Sequence, residues 1–176
     1  MSANHEAVPP PPMPPRILWW GWFLWRLGAA LFLLAAARII WNLGEIRSRL
    51  AEELRTDPNW AFREVGEVER TAGFAPLGVI VAGVVLLLVV LVCVALMRHV
   101  GSRGARIAAI LFGIVLVFVT ELAINLGGQT SDATPSLVDA TPFLQAAVML
   151  AATVLVYVRQ SSEWLYLAHE HWLDQR

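Results

Sequence analysis

A chain of 176 residues in which 57% are hydrophobic and only 15% charged is too apolar for an ordinary soluble domain, where about a quarter are charged. The length admits one compact domain with tails and excludes two separate cores. A formal net charge of −1 gives no nucleic-acid footprint.

Residues 1–16, MSANHEAVPPPPMPPR, are proline-rich and polar, and are expected to form an extended or disordered tail. Ile17 to Leu43 follows as a first membrane span. Trp19, Trp20, Trp22 and Trp25 crowd its start and Trp41 marks its end. Trp20 and Trp41 are about 31 Å apart by helix rise, close to the roughly 30 Å of bilayer hydrocarbon. These tryptophans therefore read as anchors at the two interfaces. Arg26 lies about 9 Å inside the inner belt and Arg38 about 4–5 Å inside the outer one by helix rise, each able to extend its guanidinium to the nearer surface. Ala35-Ala36-Ala37 offers a signal-peptide cleavage site, but the tryptophan belt before it favours a retained span.

Between the first and second spans, Ile46, Leu50 and Leu54 repeat every four residues, with Glu45–Arg49 and Arg49–Glu53 at ion-pair spacing. Asp57-Pro58 is expected to end that helix and start a second short one carrying Trp60, Val65 and Val68. The result is an outer helical hairpin over residues 44–74. It is either a lid packed on the spans or a partner-binding face, with Trp60, Val65 and Val68 as the candidate surface. Leu77 to Met97 is an uncharged second span opened by Pro76. Ile107 to Leu126 is a third, interrupted by Glu121 and Asn125. Pro142 to Val158 is a fourth, with Thr141 as N-cap. Residues 160–176 form an amphipathic tail in which Trp164 and Trp172 are interface anchors.

The expected fold is thus an all-α integral membrane protein, a four-transmembrane-helix bundle spanning 17–159. The turn 98–106 carries three arginines and no acid, whereas 44–74 carries five arginines against seven acids. Basic density in the short loop places it, and both termini, on the cytoplasmic side. Every basic residue is arginine, which points to a GC-rich bacterial genome and hence to the cytoplasmic membrane.

No cofactor and no metal are expected. Cys93 is a lone thiol in an apolar run. His169 and His171 fall on opposite faces of a helix, and all four histidines lie outside the spans, where none can ligate a mid-membrane haem. The chain has no metalloprotease, nucleophile-elbow or phosphate-loop motif, so no enzymatic activity is expected.

The first and third spans run in parallel. Arg26-Leu27-Gly28-Ala29-Ala30-Leu31-Phe32 matches Arg106-Ile107-Ala108-Ala109-Ile110-Leu111-Phe112, and Asn42-Leu43-Gly44 matches Asn125-Leu126-Gly127. The second and fourth spans each open with a proline. Two copies of a span–loop–span unit would explain this. Counting back from the asparagines, Arg38 and Glu121 become equivalent, at one depth. A lone carboxylate there costs about 2–3 kcal/mol, so an intramembrane Arg38–Glu121 pair is expected, supported by Asn42 and Asn125.

The proline-rich start, the turn ending Gly104-Ala105-Arg106-Ile107, and Val158-Arg159 followed by Ser161-Ser162-Glu163-Trp164 resemble a loose group of uncharacterised four-span membrane proteins of actinobacterial-type bacteria. The resemblance implies the four-span architecture and no activity. The expected partners are the lipid bilayer and other membrane proteins or a second copy of the chain. The function expected is a non-catalytic accessory, scaffold or assembly component. The alternative is a small transporter or channel with Glu121 in its pathway.

Overall fold

The computed structural model describes residues 13–60, 62–128 and 140–174. All its regular elements are helices: α1 (Arg16–Trp41), α2 (Leu43–Thr56), α3 (Val65–Val100), α4 (Arg103–Gly128), α5 (Thr141–Tyr157) and α6 (Arg159–Asp174). Among the described residues α1, α3 and α4 are each long and apolar enough to cross a membrane. A fourth crossing is available if α5 and α6, bent by 65° at their junction, count as one broken span.

Helical spacing explains how α1 packs. Its buried residues Leu18, Trp22, Trp25, Ala29, Phe32, Ala36 and Ile39 alternate steps of four and three, the heptad seam of helices that pack nearly side by side. Gly21 and Gly28, seven apart, flank that seam and let α5 approach. A Cβ added at Gly21 would stand 3.2 Å from the Val156 side chain, and one at Gly28 would stand 3.0 Å from Met149. On α5 the buried positions Gln145, Met149, Ala152 and Val156 repeat the same steps. Gly83 on α3 performs the same service for α1, because the Phe32 ring occupies the place its side chain would take.

Among α1, α3, α4 and α5 the most extensive interfaces are α3 with α4 and α1 with α5, followed by α1 with α4; α1/α3 and α4/α5 are smaller, and α2 packs mainly on α3. Exchanging α1 with α4 and α3 with α5 leaves the pattern among these four unchanged.

The segment after α2 departs from expectation. Asp57 does not open a second short helix: its Oδ1 accepts from the Asn59 backbone N–H at 2.8 Å, closing an Asx turn. The chain then re-enters helix at Val65 and continues without a break to Val100. Pro76 therefore sits in the helix interior and not in its first turn. Its missing N–H costs one backbone bond, and burial of Pro76 between Ala72 and Gly83 on the inner face of α3 accompanies the continuation. The hairpin is α2 against the first turns of α3, tied by Arg55 to Glu69 at 3.0 Å.

Candidate functional site

Three places concentrate polar or cavity-forming groups. At one end of the molecule, Arg38 and Asn42 close α1 while Glu121 and Asn125 lie near the end of α4. Glu121 Oε1 accepts from Asn125 Nδ2 at 3.2 Å, so these two share a face as their four-residue spacing requires. Arg38 is half-buried, with Nη1 wholly covered. Ile46, Arg49 and Leu50 of α2 meet Leu122, Asn125 and Leu126 of α4 around a 140 Å³ cavity.

In the middle, the interior is filled. Trp25, Phe32, Leu87, Val90, Leu116 and Met149 form one apolar cluster. The buried polar side chains there are turned into helix ties. Thr120 Oγ1 donates to the Leu116 carbonyl at 2.9 Å, and Gln145 Nε2 donates across to the Gly28 carbonyl of α1 at 3.0 Å. Beside this core, α4 and α5 enclose an apolar groove of 380 Å³ with Trp25 at its floor.

At the opposite end, cations rest on aromatic rings. Arg98 lies 5.2 and 5.5 Å from the Trp19 and Trp22 ring centres, Arg103 lies 5.4 Å from Tyr166, and Arg106 lies 5.8 Å from Tyr157. Such contacts are worth about 0.5–2 kcal/mol each, more when water is excluded. The break between α5 and α6 is capped by Ser161, whose Oγ donates to the Leu155 carbonyl at 2.8 Å. Gly101, in the left-handed conformation (φ 64°), turns α3 into α4 directly beneath α6. His169 Nδ1 lies 3.0 Å from the Val100 carbonyl and fastens α6 to the end of α3. A hydrogen bond to Glu170, and that residue's charge, hold the Tyr166 phenol above its usual pKa.

These positions sort the sequence-derived anchors. Trp19, Trp20, Trp41 and Arg26 are exposed. Trp22 and Trp25 are not anchors: at 3% and 2% exposure they belong to the heptad seam and pack in the core. Trp164 is half-buried and meets Trp22 edge-on at 6.2 Å. The side chain of Trp172 lies outside the described residues, as do residues 129–139, including Ser131, Asp132 and Asp139. Of the hairpin trio, Val65 is 61% exposed and Trp60 half-buried under Arg63. Val68 is 2% exposed and faces inward, so it is no part of an outer surface. The sequence reading passed over Phe62, which is 97% exposed at the turn. An aromatic residue between the polar Asn59 and Arg63 was the available signal.

The features so far define an all-helical protein with several helices apolar enough to cross a membrane. Comparison with protein-family models, with curated proteins and with solved structures found no match.

Proposed function

We propose that this chain is a non-catalytic component of the bacterial cytoplasmic membrane, crossing it four times, that holds another membrane protein through the tip of its outer hairpin. One observation carries the reading. The stretch of α3 that matches the hydrocarbon begins near Leu77, twelve residues after the helix starts, so the hairpin tip stands about 18 Å beyond the slab by helix rise. Phe62 and Val65 are exposed at that tip, too far out to be anchored in lipid. A pair of apolar side chains held out in water by a paired, ion-bridged hairpin suits a protein partner. The packed aromatic and aliphatic interior supports the same reading, since a polar solute crossing the molecule would have to displace it.

In this reading Glu121 braces α4 against Arg38 of α1, and the arginine-rich end, with both termini, faces the cytoplasm. A photo-crosslinking residue at Phe62 yields a discrete adduct in cells, and one at lipid-facing Val85 does not. Val65→Asp abolishes the adduct. Absence of any adduct from position 62 refutes the partner reading. Sidedness is tested apart from it. A membrane-impermeant maleimide labels Phe62→Cys and not Gln160→Cys in whole cells; the reverse pattern inverts the topology. Ser161 is unsuitable as a probe because its side chain is buried.

A further inference from the structure

We propose that the wall formed by α4 and α5 binds an anionic phospholipid, with the acyl chain in the groove and the phosphate on Arg106. The groove volume of 380 Å³ falls within the range of small-molecule sites. Its rims, Ile114, Phe118 and Leu150, are exposed, so it opens sideways to the lipid. Gly113 keeps it open, since a Cβ there would stand 2.9 Å from two atoms of the Trp25 ring.

The helical register gives this trough a charged head. Arg106, Ile110 and Gly113 follow one another at four and three residues along one face of α4. Tyr157 lies one turn beyond Thr153 on α5. The helices run in opposite directions, and the contact of Arg106 with the Tyr157 ring shows that both faces end at the same place. An apolar channel therefore leads, within a turn, to a guanidinium.

That guanidinium is incompletely satisfied. Arg106 is 8% exposed. Its Nη1 donates to Ser162 Oγ at 3.3 Å, while Nε is buried without a hydrogen bond. Arg49, Arg55, Arg63 and Arg159 each pair with a glutamate, whereas Arg106 has no such pair among the described residues. A buried cation without a counter-ion is expensive, and an anion at this point offsets the cost. Arg103, exposed and one turn earlier, adds a second charge. A partner helix laid in the groove would leave Arg106 uncompensated, so the charge selects an amphiphile with an anionic head.

The proposal rests on the spanning of the membrane by these helices and on nothing about a protein partner. The full chain, purified in mild detergent, is offered phosphatidylglycerol and phosphatidylcholine of the same acyl chains at equal concentration, and bound lipid is counted by native mass spectrometry. The native chain retains the anionic lipid about fivefold better, the effect of one arginine. Arg106→Gln brings the ratio near one, and Arg106→Lys keeps most of it. Ala146→Phe, which fills the groove from its exposed mouth, lowers retention of both lipids.

Equal retention by the native chain, or an unchanged ratio in Arg106→Gln, overturns the proposal. Unchanged retention in Ala146→Phe overturns the placement of the acyl chain. Displacement of the lipid by millimolar inorganic phosphate alone identifies a free-phosphate site and overturns the lipid assignment. Alkaline carbonate separates the two levels. A chain that carbonate strips from membranes fails the spanning reading, whereas one that stays and shows no lipid preference fails this one.

Discussion

Gly83→Ala is the sharpest probe of the packing. The added Cβ would overlap Cζ and Cε2 of Phe32 and stand 3.2 Å from Cε1. Phe32 has no exposed surface, so its ring has nowhere to retreat and α1 must move away from α3. Overpacking of this kind costs about 1–3 kcal/mol, and the better helix propensity of alanine offsets up to ~1 kcal/mol. A net loss of about 1–2 kcal/mol corresponds to roughly 2–8 °C in a chain of this size. Phe32→Leu alone costs roughly 1 kcal/mol. In that background Gly83→Ala should be neutral, giving a coupling of about 1–2 kcal/mol between the two sites. The molecule carries its own reporter, because Cys93 is the sole cysteine and is buried. A thiol-reactive fluorophore in detergent therefore records unfolding directly. Additive melting shifts for the two substitutions, or a neutral Gly83→Ala, would refute the close approach of α1 and α3.

Gly101→Ala combines a positive φ with a Cβ that would collide with the Leu165 carbonyl. It should cost about 1–3 kcal/mol and free α6, measured as faster proteolysis after Val158. Gln145→Leu gives up the bond to Gly28, worth about 0.6 kcal/mol inside a membrane, but also removes the buried Oε1 that has no partner. The melting temperature should move by less than about 4 °C. Tyr166 should ionise above the usual tyrosine range, read as the absorbance titration lost in Tyr166→Phe. Glu170→Gln, which removes the acceptor's charge, brings the titration down. Because the phenol's folded pKa is raised, its contribution to stability is complete at neutral pH and fades as pH rises through that value.

The positions of the apolar helices were legible because runs as long and aliphatic as Leu77–Met97 and Ile107–Leu126 have the length and hydropathy of a membrane crossing. The facing of those helices was harder to read. Where every side is apolar, hydropathy carries no direction, which is why Trp22 and Trp25 passed for anchors beside Trp19 and Trp20. The signal present was spacing: Leu18, Trp22, Trp25, Ala29 and Phe32 keep a strict heptad, and the exposed tryptophans stand off it. Pro76 misled because proline usually starts a helix, whereas here α3 absorbs the lost bond within its buried face. At the candidate site, the shared face of Glu121 and Asn125, which are hydrogen-bonded, followed from four-residue spacing alone. The Arg106 head did not, because it depends on α5 breaking at Val158 so that Ser162 and Tyr157 meet α4, a tertiary event with no local mark.

The extensive contact of α1 with α5 has a consequence for how the chain is made. The bond from Gln145 to Gly28 joins residues 117 positions apart, and at about 5–20 residues per second the ribosome needs roughly 6–23 s to bridge that interval. α1 is thus made well before the helix that completes its glycine-lined side exists. During that interval the glycine-lined side of α1 has no α5 of its own chain to pack against.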